Sequence, residues 1–417
     1  MAKKVVLAYS GGLDTSVAIR WLQEERGYDV VALTIDLGNE TDLLTVKRRA
    51  MEIGAVKAVV RDAKQPFIDY FAFPALMAGA VYEGYYLLAT AIGRPLIAKL
   101  LVDVAREEGA TAIAHGCTGK GNDQVRFDVS TQALAPDLEI IAPVREHRMS
   151  REEQIEWAAA RKVPVPATKA KPYSTDENLW GRSIEAGVLE DPWEAPPEDI
   201  YAWTRSPMAA PDTPREVIVA FQQGRPVSLD GHEMDGVTLV QTLNQWAGEH
   251  GVGRSDMVED RLIGIKSREI YEAPAAWTLH LAHEALEQLT LSKDQLRRKQ
   301  GLRQEYADLI YNGLWFTAQH QDLAAYVHST QRYVSGEVRV RLYKGQATVV
   351  GRRSPKSLYS YALATYDRGD QYDQGNAVGF IKIWGLPVAQ QAQAQLLADG
   401  EQPFQLGTSE TETPAGG

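Results

Sequence analysis

Ser10, Thr15 and Ser16 bring three hydroxyls into one short stretch, with Gly11, Gly12 and the carboxylate of Asp14 between them. Residues of these types suit an anion. A glycine turn bares backbone N–H groups, hydroxyls add donors, and a carboxylate can help place a magnesium ion beside a phosphate or pyrophosphate. A second polar cluster, His115-Gly-Cys-Thr-Gly-Lys-Gly-Asn-Asp-Gln-Val-Arg126, gathers Thr118, Asn122, Asp123 and Arg126. Asn122 and Arg126 are four apart and therefore share a face if a helix begins near Asn122.

The elements that must hold the first cluster are legible. Val5, Val6, Leu7 and Ala8 form a continuous apolar run, the mark of a strand buried on both faces. Beyond Gly11 and Gly12, residues Val17, Ala18, Trp21 and Leu22 repeat on a helical face, so the free N–H groups of the helix start would face the strand end. The loop lacks the Gly-Lys-Ser/Thr of a Walker A sequence and is not Gly-x-Gly-x-x-Gly. Ser10-Gly-Gly-Leu-Asp-Thr-Ser16 instead resembles the pyrophosphate loop of the N-type ATP pyrophosphatases, which split ATP between its α and β phosphates. An ordinary strand–glycine–helix connection with an N-cap is the plainer alternative; the agreement of strand, loop and helix in one window favours the phosphate loop.

The same unit then recurs. Strands are predicted at 29–36, 55–61, 111–116 and 139–142, with helical patterns at about 41–53 and through Phe67, Phe71 and Leu76. Alternating strands and helices imply a doubly wound parallel sheet with its ligands beyond the carboxyl ends of the strands, where the loops at Ser10–Ser16, Asp36–Asn39, Asp62 and His115–Arg126 converge. Residues 1–165 are read as this nucleotide-binding α/β domain. The Val-Pro-Val-Pro and Lys/Ala stretch between Arg161 and Lys171 reads as a crossing to a second, α+β domain at 166–360. That domain is predicted to hold a strand and turn at 224–231, a hairpin at 337–350 turning at Lys344-Gly345, and helices at 277–290 and 293–310, the latter opened by the capping box Ser292-Lys-Asp-Gln295. Residues 361–400, with Trp384-Gly-Leu-Pro387 followed by a helical pattern from Val388 to Ala398, are read as an arm. Residues 401–417 are read as a disordered tail.

At 417 residues the chain exceeds one typical domain, and its formal charge of −11 argues against a nucleic-acid surface. The single cysteine, Cys117, excludes an intramolecular disulfide and points to a reducing compartment. The apolar run after Met-Ala-Lys-Lys is too short for a signal peptide, and no stretch reaches membrane-spanning length, so a cytoplasmic protein is expected. No protein-held metal centre is expected: the eight histidines lack His-x-x-x-His spacing, and His280 and His283 are read as packing or solvent-facing. His115 is read as shaping its loop and Cys117 as packing, since no His or acid is demonstrably paired with the thiol.

With both loops in view, the chain resembles the argininosuccinate synthases from residue 1 to about 390. The motifs are Ala8-Tyr-Ser-Gly-Gly-Leu-Asp-Thr-Ser16, Tyr82-Glu-Gly-Tyr-Tyr86, Arg94-Pro-Leu-Ile97, His115 to Arg126, Pro172-Tyr-Ser174, Glu190-Asp-Pro-Trp193, Val258-Glu-Asp-Arg-Leu262, Lys266-Ser-Arg268 and Gly379-Phe-Ile-Lys-Ile-Trp-Gly385. The resemblance implies an enzyme that joins citrulline to aspartate while ATP, with Mg²⁺, becomes AMP and pyrophosphate. It implies that Ala8, Tyr9, Ser10, Gly11, Gly12, Leu13, Asp14, Thr15, Ser16, Ile35 and Gly116 hold ATP, and that Thr118, Asn122 and Asp123 hold aspartate. Tyr86, Ala91, Asn122, Arg126, Ser174, Ser183, Glu259 and Tyr271 match citrulline positions. Asp14, Asp123 and Arg126 are the catalytic candidates. It further implies a homotetramer braced by the C-terminal arm. Two positions depart from the family pattern: Ile35 replaces a small residue, and Ala91 replaces a serine, a lost hydrogen bond of about 1 kcal/mol that need not abolish activity.

Two other readings compete. Other pyrophosphate-loop ligases form one, but an amidotransferase would need a glutamine-hydrolysing domain and a tRNA-modifying enzyme a basic groove. A nucleotide-binding sensor that lost catalysis is the non-enzymatic reading; retention of both sets of substrate positions opposes it.

Overall fold

In the computed structural model, which describes residues 3–39, 42–165 and 173–397, the first apolar run forms β1 (Lys3–Ala8) and leads into α1 (Leu13–Arg26). Then come β2 (Tyr28–Asp36), α2 (Leu43–Ile53) and β3 (Lys57–Asp62). Short helical turns follow, then α3 (Ala89–Glu108), β4 (Ala112–Ala114), α4 (Asp123–Leu134), β5 (Glu139–Ile141) and α5 (Arg151–Ala160). The five strands pair in parallel in the order β3-β2-β1-β4-β5. This is the doubly wound sheet that the alternating pattern predicts.

Both faces of the sheet are covered, which explains its unbroken apolar runs. Val5 and Leu7 point into a cluster with Val17 and Leu22 of α1 and Val46 and Ala50 of α2. Val6, Val31 and Leu33 point the other way, against Leu101 and Ala105 of α3 and Phe127 of α4. Strand order reverses between β1 and β4. The loops leaving those two strands therefore diverge and open a crevice at their carboxyl ends.

Two antiparallel sheets follow. β6 (Ser174–Asn178) and β7 (Gly181–Glu185) precede β8 (Arg215–Gln222), β9 (Arg225–Leu229), β10 (His232–Glu233) and α6 (Gly236–Glu249). β11 (Arg254–Asp260) and β12 (Lys266–Glu272) are followed by α7 (Pro274–Thr290), α8 (Lys293–Tyr311) and α9 (Ala318–Thr330), then by β13 (Gly336–Tyr343) and β14 (Gln346–Arg353). One sheet runs β10-β9-β8-β13-β14 and the other β11-β12-β7-β6. The predicted hairpin is β13–β14, and α8 begins with the predicted capping box, Gln295 N–H donating to Ser292 Oγ at 3.3 Å and Ser292 N–H to Gln295 Oε1 at 3.0 Å. Part of the expected crossing between domains, residues 166–172, lies outside the described residues.

All three sheets belong to one compact unit, Met1–Leu358, and Tyr359–Gly417 form a second. In the second unit α10 (Gly375–Gln391) runs through Trp384-Gly-Leu-Pro387, so the helix predicted from Val388 begins earlier. Pro387, inside the helix, removes one N–H donor without stopping it. Phe380, Ile381, Ile383 and Trp384 of this helix are all exposed, and none of its residues is buried. The segment read as a disordered tail lies outside the described residues.

The four-stranded sheet is tied down by Glu272, which is fully buried. Its carboxylate accepts the N–H groups of Ala202, Trp203 and Thr204 at 3.0, 2.9 and 2.9 Å and the Thr204 hydroxyl at 2.7 Å, and pairs with Arg182 at 2.8 Å. Removing it takes from Arg182 its nearer carboxylate and leaves three backbone donors without their acceptor. Glu272→Ala is expected to lower the unfolding free energy by about 3–5 kcal/mol, read from urea denaturation, with Glu272→Gln costing less because one acceptor oxygen remains.

Candidate active site

The loop after β1 is built to leave helix α1 uncapped. Gly12 occupies the N-cap position with no side-chain cap, so the N–H groups of the first turn stay open toward the crevice, beside Asp14. Gly11 has φ +79°, and a Cβ there would meet Val46 at 3.0 Å. Its carbonyl accepts Arg49 Nη1 at 2.7 Å, a brace from α2 that no sequence signal suggested. The Ser10 and Thr15 hydroxyls lie 3.2 Å apart, and Tyr9 and Ser16 pair across 3.2 Å beneath them.

The loop after β4 abuts this one. A Cβ on Gly116 would stand 2.8 Å from Thr15 Cγ2, so glycine is what lets the two loops touch. His115, buried at the strand end, faces Asp128 through Nε2 at 2.7 Å and accepts the Cys117 N–H through Nδ1 at 3.3 Å. Arg145 completes the brace on Asp128 at 2.8 Å. His115 thus shapes the loop, as expected. Burial, with Asp123 nearby, pushes the Cys117 thiol up, which fits packing and not a thiolate nucleophile. Ala8, Ile35 and Cys117 all pack on the same apolar cluster at the strand ends. His280 and His283 are held neutral, at about 3 and about 4, chiefly by burial.

Register explains the rest of the site. In the antiparallel ladder Asp176 stands opposite Ser183, Ser174 opposite Glu185, and Tyr271 opposite Ser183, so these side chains share one face with Glu269 and Glu259. That face and α4 enclose a cavity of about 110 Å³ lined by Tyr86, Thr90, Asn122, Asp123, Arg126, Asp176, Ser183, Glu185, Glu259, Arg261, Glu269 and Tyr271. Of the predicted substrate residues, Tyr86, Asn122, Asp123, Arg126, Ser183, Glu259 and Tyr271 meet here. Ser174 is exposed at the strand end, and Thr118 is exposed in its loop. Ala91 is fully buried, with its N–H donating to the Tyr86 hydroxyl at 3.1 Å.

A hydrogen-bond chain joins the parallel-sheet side to this face. Asn122 Nδ2 donates to the Tyr311 hydroxyl at 2.7 Å, which donates to Glu259 at 2.7 Å; Tyr271 donates to the other Glu259 oxygen at 2.6 Å. Asn122 Oδ1 accepts Leu262 N–H at 2.9 Å. Tyr82 stacks on Tyr311 at 3.6 Å and Tyr86 on Tyr271 at 4.2 Å. The loop carrying Tyr82 and Tyr86 is strained, with Glu83 and Leu88 at φ +48° and +63°.

Charge is distributed unevenly. Arg94, from α3, pairs with Asp123 at 2.7 Å and with Asp176; Arg126 pairs with Asp123 at 2.9 Å. Burial alone would raise the Asp123 carboxyl, but the two guanidinium groups hold it at about 2. Arg126 Nη2 is buried without a partner among the described residues, a donor free for a substrate carboxylate. On the opposite wall Arg261 is shared by Glu185 and Glu269, and burial together with Glu185 pushes the Glu269 carboxyl up to about 9. Sequence reading missed Thr90, Arg94, Asp176, Glu185, Arg261 and Glu269. Only Arg94 lay within a singled-out tetrapeptide other than the polar loops, while Arg261 lay in Val258–Leu262.

The fold and site define a nucleotide-binding α/β protein of the N-type ATP pyrophosphatase kind, with a second, antiparallel-sheet domain facing the nucleotide loops. Residues 4–164 match the model described as "Arginosuccinate synthase N-terminal HUP domain", and residues 173–391 that of the "Arginosuccinate synthase C-terminal domain". Proteins named argininosuccinate synthase from Dehalococcoides mccartyi and Symbiobacterium thermophilum are 57% and 56% identical to it, over 96% and 94% of this chain and 99% and 98% of their own. One from Oceanobacillus iheyensis is 54% identical over 92% of each chain. The chain belongs to the argininosuccinate synthase family.

The Glu269 carboxyl ionises at a higher pH folded than unfolded, so the folded protein holds an extra proton between about 4.5 and about 9. Its contribution to stability is complete below that window and is lost as pH rises through it. Glu269→Gln, which cannot ionise, is expected to flatten the fall in urea midpoint between pH 5 and 9; an unchanged slope would contradict the assignment.

Proposed function

We propose that the protein joins L-citrulline to L-aspartate using ATP, giving argininosuccinate, AMP and pyrophosphate through a citrullyl-adenylate, a step of arginine biosynthesis. The observation that carries this reading is one loop, with Gly116 against Thr15 at one end and Asn122 and Asp123 in the cavity wall at the other, which links an uncapped helix start to a cavity whose charges suit two amino acids. The family membership supports it. Proteins named argininosuccinate synthase are matched over nearly their whole length.

A ureido carbon is a poor electrophile because its nitrogens donate into the carbonyl. Attack of the ureido oxygen on the α-phosphate turns that oxygen into a leaving group, and the aspartate amine then displaces AMP. In this reading Ala8 to Ser16 hold ATP, with the first-turn amides and the Ser10, Thr15 and Ser16 hydroxyls around pyrophosphate, Gly116 against the nucleotide and Ile35 near its base. Tyr86, Asn122, Arg126, Ser174, Ser183, Glu259 and Tyr271 hold citrulline, Arg126 meeting its carboxylate and Glu259 its ammonium. Thr118, Asn122 and Asp123 hold aspartate. The stacked tyrosine pairs keep water from the adenylate. Ala91 offers no hydroxyl, and Thr90 beside it supplies one to the cavity wall.

The oxygen donors of Asp14, Ser10 and Thr15 suit magnesium, which takes one or two carboxylates together with substrate phosphates. Asp14 would hold the ion, which supplies charge neutralisation on the departing pyrophosphate. We further place the protein in the cytoplasm; among the described residues no helix is long and apolar enough to cross a membrane. The exposed apolar side chains of α10 support a homotetramer braced by this arm.

Pyrophosphate release from MgATP is expected to require citrulline, and argininosuccinate and AMP to appear by mass spectrometry only when aspartate is also present. Asp123→Asn is expected to raise the aspartate concentration needed for half-maximal rate by about 10–100-fold while sparing citrulline-dependent pyrophosphate release. Truncation after Leu358 is expected to lower the assembly state seen by light scattering; an unchanged mass would remove the arm from the interface.

A further inference from the structure

The reaction needs a proton acceptor. Aspartate carries its α-nitrogen as an ammonium, which has no lone pair, so a proton must leave before that nitrogen can attack the adenylate carbon. Five carboxyl groups line the cavity. Three are held away from proton transfer, and Glu185, like Asp176, has a share in one guanidinium, but not in the one that holds Asp123. Asp123 is clamped by Arg94 and Arg126, Glu259 accepts two tyrosine hydroxyls, and Glu185 and Glu269 share Arg261, with Glu269 already holding a proton at neutral pH.

Asp176 is the fifth. It projects from β6 on the cavity side, opposite Ser183, and its side chain keeps 41% of its surface accessible. Among the described residues its single ion pair is with Arg94, the guanidinium that also holds Asp123. The two carboxylates that flank Arg94 therefore differ. Two cations fix one as an anion, whereas the other has half a share in one cation and faces the cavity. A pair of like groups whose surroundings drive them apart is the pattern of an acid–base assignment.

Resting on the function proposed above, we propose that Asp176 takes the proton from the aspartate ammonium in the second half-reaction. The adenylate enters as a neutral isourea. One ammonium proton passes to the Asp176 carboxylate, the freed lone pair forms the C–N bond, and AMP departs with the electrons of the C–O bond. The attacking nitrogen keeps one of its two remaining protons and passes the other to the neighbouring isourea nitrogen, so the product is a guanidinium and Asp176 then returns its proton to solvent. The partly desolvated setting of the cavity wall, and the neighbouring charge of Asp123, raise the Asp176 carboxyl against the pull of Arg94, which makes it a better acceptor than Asp123. The ionisable groups around it are Arg94 from α3, Cys117 from the loop after β4, Asp123 and Arg126 from α4, and Glu185, Glu259, Arg261 and Glu269 along the sheet.

The test separates the half-reactions. With Asp176→Asn, argininosuccinate formation is expected to fall about 10²–10⁴-fold, while citrulline-dependent pyrophosphate release falls far less. Hydroxylamine, an amine that is neutral at pH 7.5, should consume the adenylate equally fast in wild type and variant. In wild type, aspartate capture of preformed adenylate should show an acid limb above the ordinary carboxylate range, and this measurement stands even if the variant does not fold. Equal loss of both half-reactions, a parallel loss with hydroxylamine, or no acid limb in wild type overturns the role of Asp176. Wild-type protein that releases no pyrophosphate with citrulline overturns the functional reading itself, and the proposal with it.

Discussion

Arg94 stands between two carboxylates that come from different sheets' neighbourhoods, Asp123 at the start of α4 and Asp176 on β6. A guanidinium is well suited to this position, being permanently charged and able to serve two acceptors in fixed directions. Burying two carboxylates and Arg126 in one place would be strongly unfavourable without it. The helix that supplies Arg94 packs on the parallel sheet, so the cavity is anchored to the same scaffold that aims the phosphate loop. The charge pattern and the nucleotide geometry are thus held by one element, α3.

The hydrogen-bond chain from Asn122 through Tyr311 to Glu259 gives the site a second tie across the crevice. The Tyr311 hydroxyl in it donates once and accepts once, which fixes rotamers that would otherwise be free. The strained Tyr82–Leu88 loop is tolerable in that setting. Two of its three tyrosine rings, those of Tyr82 and Tyr86, are clamped by stacking, and the stacking offsets the cost of positive φ at Glu83 and Leu88.

How much of this was legible depended on the kind of signal. Val5 to Ala8 followed by glycines gave the parallel strand and its loop, because a strand buried on both faces has no polar period to confuse with a helix. The capping box at Ser292 and the hairpin at Lys344-Gly345 were readable because both are local. The sheet that carries Asp176, Glu185, Glu259 and Glu269 was not. Its strands alternate carboxylates with apolar or paired residues, and a charged face reads as a solvated surface until the register brings it against α4. Arg94 was passed over for a related reason: within a helix its partners are distant in sequence, at Asp123 and Asp176, and only the fold brings them near.

The same alternation sets a condition on how this sheet can evolve. In β12, Glu269 and Tyr271 face the cavity, while Ile270 and Glu272 face the other way. A single-residue insertion or deletion within that strand would exchange the two sets, turning the cavity wall inward and the core outward. Glu272, gripping Arg182 and the Ala202–Thr204 backbone, penalises any such slip heavily. A residue that faces away from the cavity therefore acts as a reading-frame marker for those that line it.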